Sequence, residues 1–502
     1  MEMQVVIGVD IGTTATKAVA FDAAGRAVAQ ASRAYPLIQA VPGMAELDPQ
    51  AVLAAVQAAV AAVAAALPAG AIAALSFSAA MHSLLLLDQD FRPLTRVMTW
   101  ADIRAAKQAA ALKQRPDSAQ LVARTGVPLH PMTPLAKLMY LQEAQPALMR
   151  RASYVGGLKS WLMAVFYGQW LADYSLANAT GLFNLHTLDW DPAALQLAGV
   201  TASQLPPLVD TDTLLPALTP AAAKAMGVPP ATPGIIGASD GTLANIGVAA
   251  LAPGALALTI GTSGAVRTVI KTPQSAPGGK LFTYYLAPDR WVVGGPVNNG
   301  GIVLQWATKT LLGNTATVAE AIQLAQTAPA GAHGLVFLPY LGGERAPLWD
   351  AAARGSFVGL TRQHTKADML RAVMEGILFN LKAVGALMQP MVGTRPTLHA
   401  AGGFAKSEAW RQMLADVFDC PVVVPQSVQS SALGAAVMGM KRLGWIPSLD
   451  AVSGMLTMTD RYQPGQDAAV YRALWPLWQQ VSRALAGTYG EFAGFAATPG
   501  MV

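Results

Sequence analysis

Two stretches of the chain carry one local pattern, VVIGVDIGTTATKAVAF at 5–21 and GALALTIGTSGAVRTVI at 254–270. In each, a run of β-favouring residues reaches Ile-Gly-Thr followed by Thr or Ser, and a second such run begins at once. The pattern predicts a β-hairpin once in each half, and its recurrence predicts a duplicated architecture of two lobes, 1–246 and 247–502. A chain of 502 residues accommodates this, because a single core rarely organises more than roughly 250–300 residues.

Strand-like runs such as 335–338 and 422–424 alternate with helical runs such as 366–388 and 430–443, which predicts an α/β protein with a mixed β-sheet flanked by helices in each lobe. Residues 51–87 contain no Asp, Glu, Lys or Arg, a length sufficient to span a bilayer. Pro68 and Gly70 cut that segment into an alanine-rich helix, 51–67, and a short strand, 72–77, so it reads as buried core and not as a span. The first residues lack a basic region, and an acid interrupts their apolar run, unlike a secretory leader. With Cys420 the only cysteine, no intrachain disulfide forms, and a cytoplasmic location is expected. Net charge is +5 without a basic block, so neither nucleic acid nor a membrane is expected as a partner, and a homodimer stays open.

The first hairpin carries chemistry. Gly12 permits close backbone approach, Thr13 and Thr14 add hydroxyl donors, and Lys17 adds a positive charge, which together are the parts of a phosphate site. Asp10 would repel phosphate oxygens unless a cation intervened, so it reads as a Mg²⁺ ligand. The stretch is not a Walker loop, because it lacks the four-residue gap before Gly-Lys and enters a strand. A plain tight turn with β-forming threonines accounts for the same residues, and the second copy at Gly261, Thr262 and Ser263 favours the phosphate reading.

TWADIRA at 99–105, GASDG at 237–241, YLGGERAPLWD at 340–350 and AGGFAKSEAWRQMLAD at 401–416 follow the hairpin in an order that resembles the FGGY carbohydrate kinases. The resemblance implies two actin-like (ribonuclease H-like) lobes with the active site in the cleft between them, and phosphoryl transfer from ATP, with Mg²⁺, to a sugar hydroxyl. It implies that Asp240 is the catalytic base, where the local sequence alone would also allow an aspartate opening a helix. Met81, His82, Trp100 and Asp102, with Asp240, are the implied sugar contacts, and Asp10 and Asp240 the implied metal ligands. For the nucleotide it implies Thr13, Thr14, Lys17, Gly261, Thr262, Gly301, Gln305, Gly402, Gly403 and Ser407, although the family often carries asparagine at the last position.

SFSAAMHSLLLLD at 76–88, RTGVPLHPMTPLAKL at 124–138, DYSLANATGLFNL at 173–185 and GGPVNNGGIVLQW at 294–306 resemble the members that phosphorylate gluconate at its terminal hydroxyl, with xylulose or another sugar as the alternative. A gluconate carboxylate calls for a cation or several oriented donors. Arg104, Lys137 and Lys159 are the candidates, each equally readable as a surface residue. Glu344 and Arg345 of GERAP are left between an ion pair and a functional role.

Overall fold

The computed structural model describes residues 4–274, 277–393, 395–425 and 429–496. It divides into two compact units that do not follow a single cut in the chain. The first contains 4–251, 269–292 and 429–456, and the second 252–268, 293–425 and 457–496.

In the first unit, β1 (Val5–Ile11), β2 (Ala15–Asp22) and β3 (Ala27–Ala34) form an antiparallel meander opened by the predicted hairpin. The alanine-rich segment is α1 (Pro49–Ala65), started by Asp48, whose carboxylate accepts the Gln50 amide at 2.9 Å. Its apolar face, Val52, Val56, Val60 and Val63, is buried, and no helix among the described residues is long and apolar enough to cross a membrane. After α1 come β4 (Ile72–Ala79), β5 (Leu214–Leu215) and β6 (Gly234–Ser239). The sheet order is β5-β6-β4-β1-β2-β3, with β6, β4 and β1 parallel. β6 passes directly into α2 (Asp240–Gly247).

In the second unit, β7 (Ala255–Ile260) and β8 (Gly264–Ile270), whose last two residues fall in the first unit, are the second predicted hairpin. β7 pairs parallel with β9 (Thr397–Ala401), β9 parallel with β10 (Val422–Pro425), and β10 antiparallel with β11 (Met458–Tyr462). Both units therefore place an antiparallel hairpin beside parallel strands, as a duplicated architecture requires.

The helix Ser430–Arg442 explains why a late segment belongs to the first unit. Its glycine- and alanine-rich surface lets backbone meet backbone: a Cβ on Gly8 would stand 2.0 Å from the Ala432 carbonyl oxygen, and one on Gly247 1.9 Å from that of Ser430. Gly8→Ala should therefore lower stability by about 1–3 kcal/mol, with a matching fall in Tm. Gly454→Ala, where a Cβ meets nothing within 4 Å, should leave Tm unchanged in the same thermal melts.

Candidate active site

The parallel strands of the first unit align their C-terminal ends. Asp10 pairs in register with Ser78, and Ala79 pairs with both Ile11 and Ser239, so the hairpin turn, the Met81–His82 loop and Asp240 leave the sheet at one edge. In open α/β sheets that edge is where ligands bind.

At the hairpin, the Gly12 amide closes the turn onto Ala15 O at 3.0 Å, and the Tyr35 hydroxyl donates to Gly12 O at 2.7 Å. Asp10 lies opposite Lys17 across the two strands and accepts the Ser78 hydroxyl at 2.8 Å. Burial raises the Asp10 carboxyl above its usual value, while Ser78 and the Lys17 charge oppose the shift. Thr14 is exposed, and Thr13 and Lys17 are half-buried. Trp100 donates its indole N–H to Thr13 Oγ1 at 2.9 Å, which ties the expected sugar platform to the first hairpin.

His82 is buried with a φ of 62°, left-handed backbone that a non-glycine residue seldom adopts. Its Nδ1 lies 2.7 Å from Ala179 O, so Nδ1 carries the proton, because a carbonyl can only accept. Nε2 faces the Tyr284 hydroxyl at 3.4 Å. Tyr284 was not legible in the sequence, since it lies 202 positions from His82. Met81 is half-buried beside it.

The three cations weighed for a substrate carboxylate all have work inside the chain, so none is a surface residue. Lys137 is 0% exposed, and its Nζ donates to His82 O at 2.7 Å and Thr99 O at 2.6 Å, clamping the two expected sugar loops together. Burial pushes its pKa down to about 7, opposed by the Asp102 charge and reinforced by that of Arg104. Arg104 donates to Asp102 and Glu46, one cation against two carboxylates. Asp102 is fully buried and also accepts the Ala45 amide at 3.0 Å.

Lys159, 2% exposed, pairs with Asp173 at 2.8 Å and donates to Ile236 O at 2.8 Å and Ala238 O at 3.3 Å. Those carbonyls flank Gly237, whose φ of 70° marks the register shift in β6. Lys159 thus satisfies acceptors around the bulge that aims the strand at Asp240. Asp240 is half-buried at the first position of α2, which Ser239 caps, and its Oδ1 accepts the Gly241 amide at 2.7 Å.

The nucleotide candidates lie in the second unit, apart from those on the first hairpin. α3 (Gly301–Leu312) starts against the second hairpin, with Gly301 N donating to Gly261 O at 2.8 Å and Ile302 N to Thr262 O at 3.2 Å. Gly261, Thr262, Gln305 and Gly403 are exposed. Gly402 has a φ of 109°, and a Cβ there would stand 2.2 Å from Ile260 O, so packing alone demands glycine. Ser407 caps the helix Glu408–Phe418 by accepting the Trp410 amide at 3.3 Å, a structural task the sequence did not reveal.

The profile of the FGGY family of carbohydrate kinases matches twice, its N-terminal domain over residues 5–247 and its C-terminal domain over 256–443. The chain belongs to the FGGY carbohydrate kinases. A gluconokinase of Bacillus subtilis (strain 168) is 42% identical over 500 residues, covering 97% of this chain and 98% of the relative. Two crystal structures from Lactobacillus acidophilus share 40% identity and cover 98% of this chain and 100% of theirs: a gluconate kinase, with a TM-score of 0.95, and a ligand-bound xylulose kinase, with a TM-score of 0.94. The two-lobe α/β fold expected from the motifs is the fold of these kinases.

The clamp generates a test. Lys137→Met leaves two buried carbonyls without their donor and should lower stability by about 1–3 kcal/mol. The sign with pH follows from a folded pKa near 7 against the ordinary 10.5: the unfolded chain binds more protons between them. The stability advantage of wild type over Lys137→Met should grow as pH rises from 7 towards 10.5, measured by urea unfolding at several pH values.

Proposed function

We propose that this kinase transfers the γ-phosphoryl group of ATP to the terminal hydroxyl of D-gluconate, giving 6-phosphogluconate and ADP. The observation that carries it is the shared edge of β1, β4 and β6, which delivers Asp10, the Met81–His82 loop and Asp240 to one place. The relationship to gluconokinase over nearly the whole chain supports the substrate. The Lactobacillus xylulose kinase keeps xylulose as the second reading.

In this reading the gluconate terminal oxygen bonds to the γ-phosphorus as the bond from phosphorus to the β,γ-bridging oxygen breaks. Asp240 accepts the hydroxyl proton and returns it to solvent. His82, Met81, Trp100 and Asp102 orient the polyol, with Asp102 acting through the Arg104 cluster. Thr13, Thr14 and Lys17 receive phosphate oxygens on one hairpin, and Gly261 and Thr262 do so on the other. Gly301, Gln305, Gly402, Gly403 and Ser407 border the adenosine. We assign the sugar contacts to 1–246 and the remaining nucleotide contacts to 247–502, in a cytoplasmic enzyme acting on small molecules.

Asp10 and Asp240 would hold Mg²⁺. Among the described residues no cluster of three or more His, Cys, Asp or Glu is placed for a metal. Asp10 and Asp240 leave the sheet at one edge, and Mg²⁺ is commonly held by one or two carboxylates together with phosphates and water. When bound it would offset charge on the phosphate oxygens.

Asp240→Asn should lower kcat by roughly 10²- to 10⁴-fold while calorimetry still detects ATP binding. Near-normal turnover would remove Asp240 from the mechanism. Gluconate, xylulose, glycerol and ribulose should be assayed side by side. Gluconate is expected to lead in kcat/KM by about 10² or more, and a lead for xylulose would replace the substrate.

A further inference from the structure

Glu344, the acid of GERAP, is 1% exposed. Its Oε1 accepts the backbone amides of Asn298 at 2.6 Å and Arg345 at 2.8 Å. Its Oε2 accepts the side-chain amides of Asn299 at 2.9 Å and Asn380 at 2.7 Å. The Arg345 guanidinium donates instead to Asn298 Oδ1 at 2.8 Å and Val297 O at 3.1 Å. Burial raises the Glu344 carboxyl, and the amide donors and the Arg345 charge oppose that rise. Burying a carboxylate costs several kcal/mol unless donors surround it, and here amides do.

Two of those four donors, the Asn298 backbone amide and the Asn299 side-chain amide, belong to one short segment. Asn299 also donates to Gly343 O at 2.7 Å and accepts the Gly342 amide at 3.2 Å, and Asn298 donates to Gly342 O at 3.1 Å. The next residues are Gly300 and Gly301. A Cβ on Gly300 would stand 2.5 Å from Ser263 O, and Gly301 N already binds Gly261 O. Any shift of Asn298–Asn299 therefore moves the start of α3 against the second hairpin.

We propose that Glu344 is a positioning residue that holds Asn298–Asn299, and through them the α3 start and the Gly261–Thr262 turn, in the geometry that receives the nucleotide phosphates. This rests on the reading that the turn and helix border ATP. The bonds from the Asn298 amide and the Asn299 side chain to the Glu344 carboxylate couple both residues to position 344.

Glu344→Gln replaces one acceptor oxygen by an amide that faces donors. Hydrogen exchange on the full chain without ligand should show faster exchange of the amides of 298–303. The KM for ATP should rise about tenfold and the KM for gluconate should stay within twofold. Glu344→Asp keeps the charge and should recover part of the protection and of the ATP KM, which also covers the case in which the glutamine variant folds poorly. Unchanged exchange at 298–303 in both variants, or an equal rise of both KM values, would overturn the proposal. Because exchange is read without substrates, a wild-type protein that failed to phosphorylate gluconate would refute the functional reading separately.

Discussion

The backbone contact between the helix Ser430–Arg442 and the elements it covers governs the first unit. β1 at Gly8 and α2 at Gly247 both press on it at distances that leave no room for a Cβ, and Gly434 presses back on the Leu243 carbonyl. β1 carries Asp10 and α2 begins at Asp240, so one helix fixes the bases of both acidic candidates. The Ser431 hydroxyl adds a bond to Asp240 O at 3.2 Å, across 191 positions of sequence. Close-packed interiors transmit small displacements instead of absorbing them. An element that holds two candidate side chains at once therefore sets their relative position more firmly than separate loops could.

Around this frame, buried charges hold the remaining loops. Lys137 joins the His82 and Thr99 carbonyls, Lys159 serves the bulge ahead of Asp240, and Glu344 gathers the amides ahead of α3. Each is an ionisable group taken out of water, where burial favours its neutral form and several short bonds to groups that secondary structure leaves unpaired offset part of the cost. Phosphoryl transfer depends mainly on positioning and on oriented dipoles, so rigid support of the loops is where such charges have most effect.

Much of this was legible in the sequence. The hairpins, the α/β alternation and the helices near 51–67, 366–388 and 430–443 follow from periodicity and appear within a few residues of their predicted ends. Local pattern also pointed to Asp10 and Thr13, because hairpin, hydroxyls and acid are neighbours in the chain. The tasks of Lys137, Lys159 and Arg104 were not legible, since charge alone suggested exposure or a substrate partner. Their actual partners are carbonyls and carboxylates brought together by folding. Ser78 and Tyr284 were missed for the same reason: one is a small residue in a strand, and the other lies in the sequence-distant strand Phe282–Ala287.

His82 shows how such support becomes visible. A histidine held at positive φ costs of order 1–3 kcal/mol and persists only where its surroundings over-determine it. Here they do so from three directions: Ala179 O accepts the hydrogen bond that Nδ1–H donates, Lys137 holds the backbone carbonyl, and Tyr284 stands edge-on to the ring with centroids 5.9 Å apart. A loop needed only to connect β4 to the next strand could use a glycine at that position without strain. The chain instead places a ring with a defined tautomer at the edge where β1, β4 and β6 end and anchors it on both nitrogens. The strain, the fixed tautomer and the buried lysine beneath are then parts of one arrangement, in which the fold alone orients the imidazole, as the polyol contact proposed for it requires.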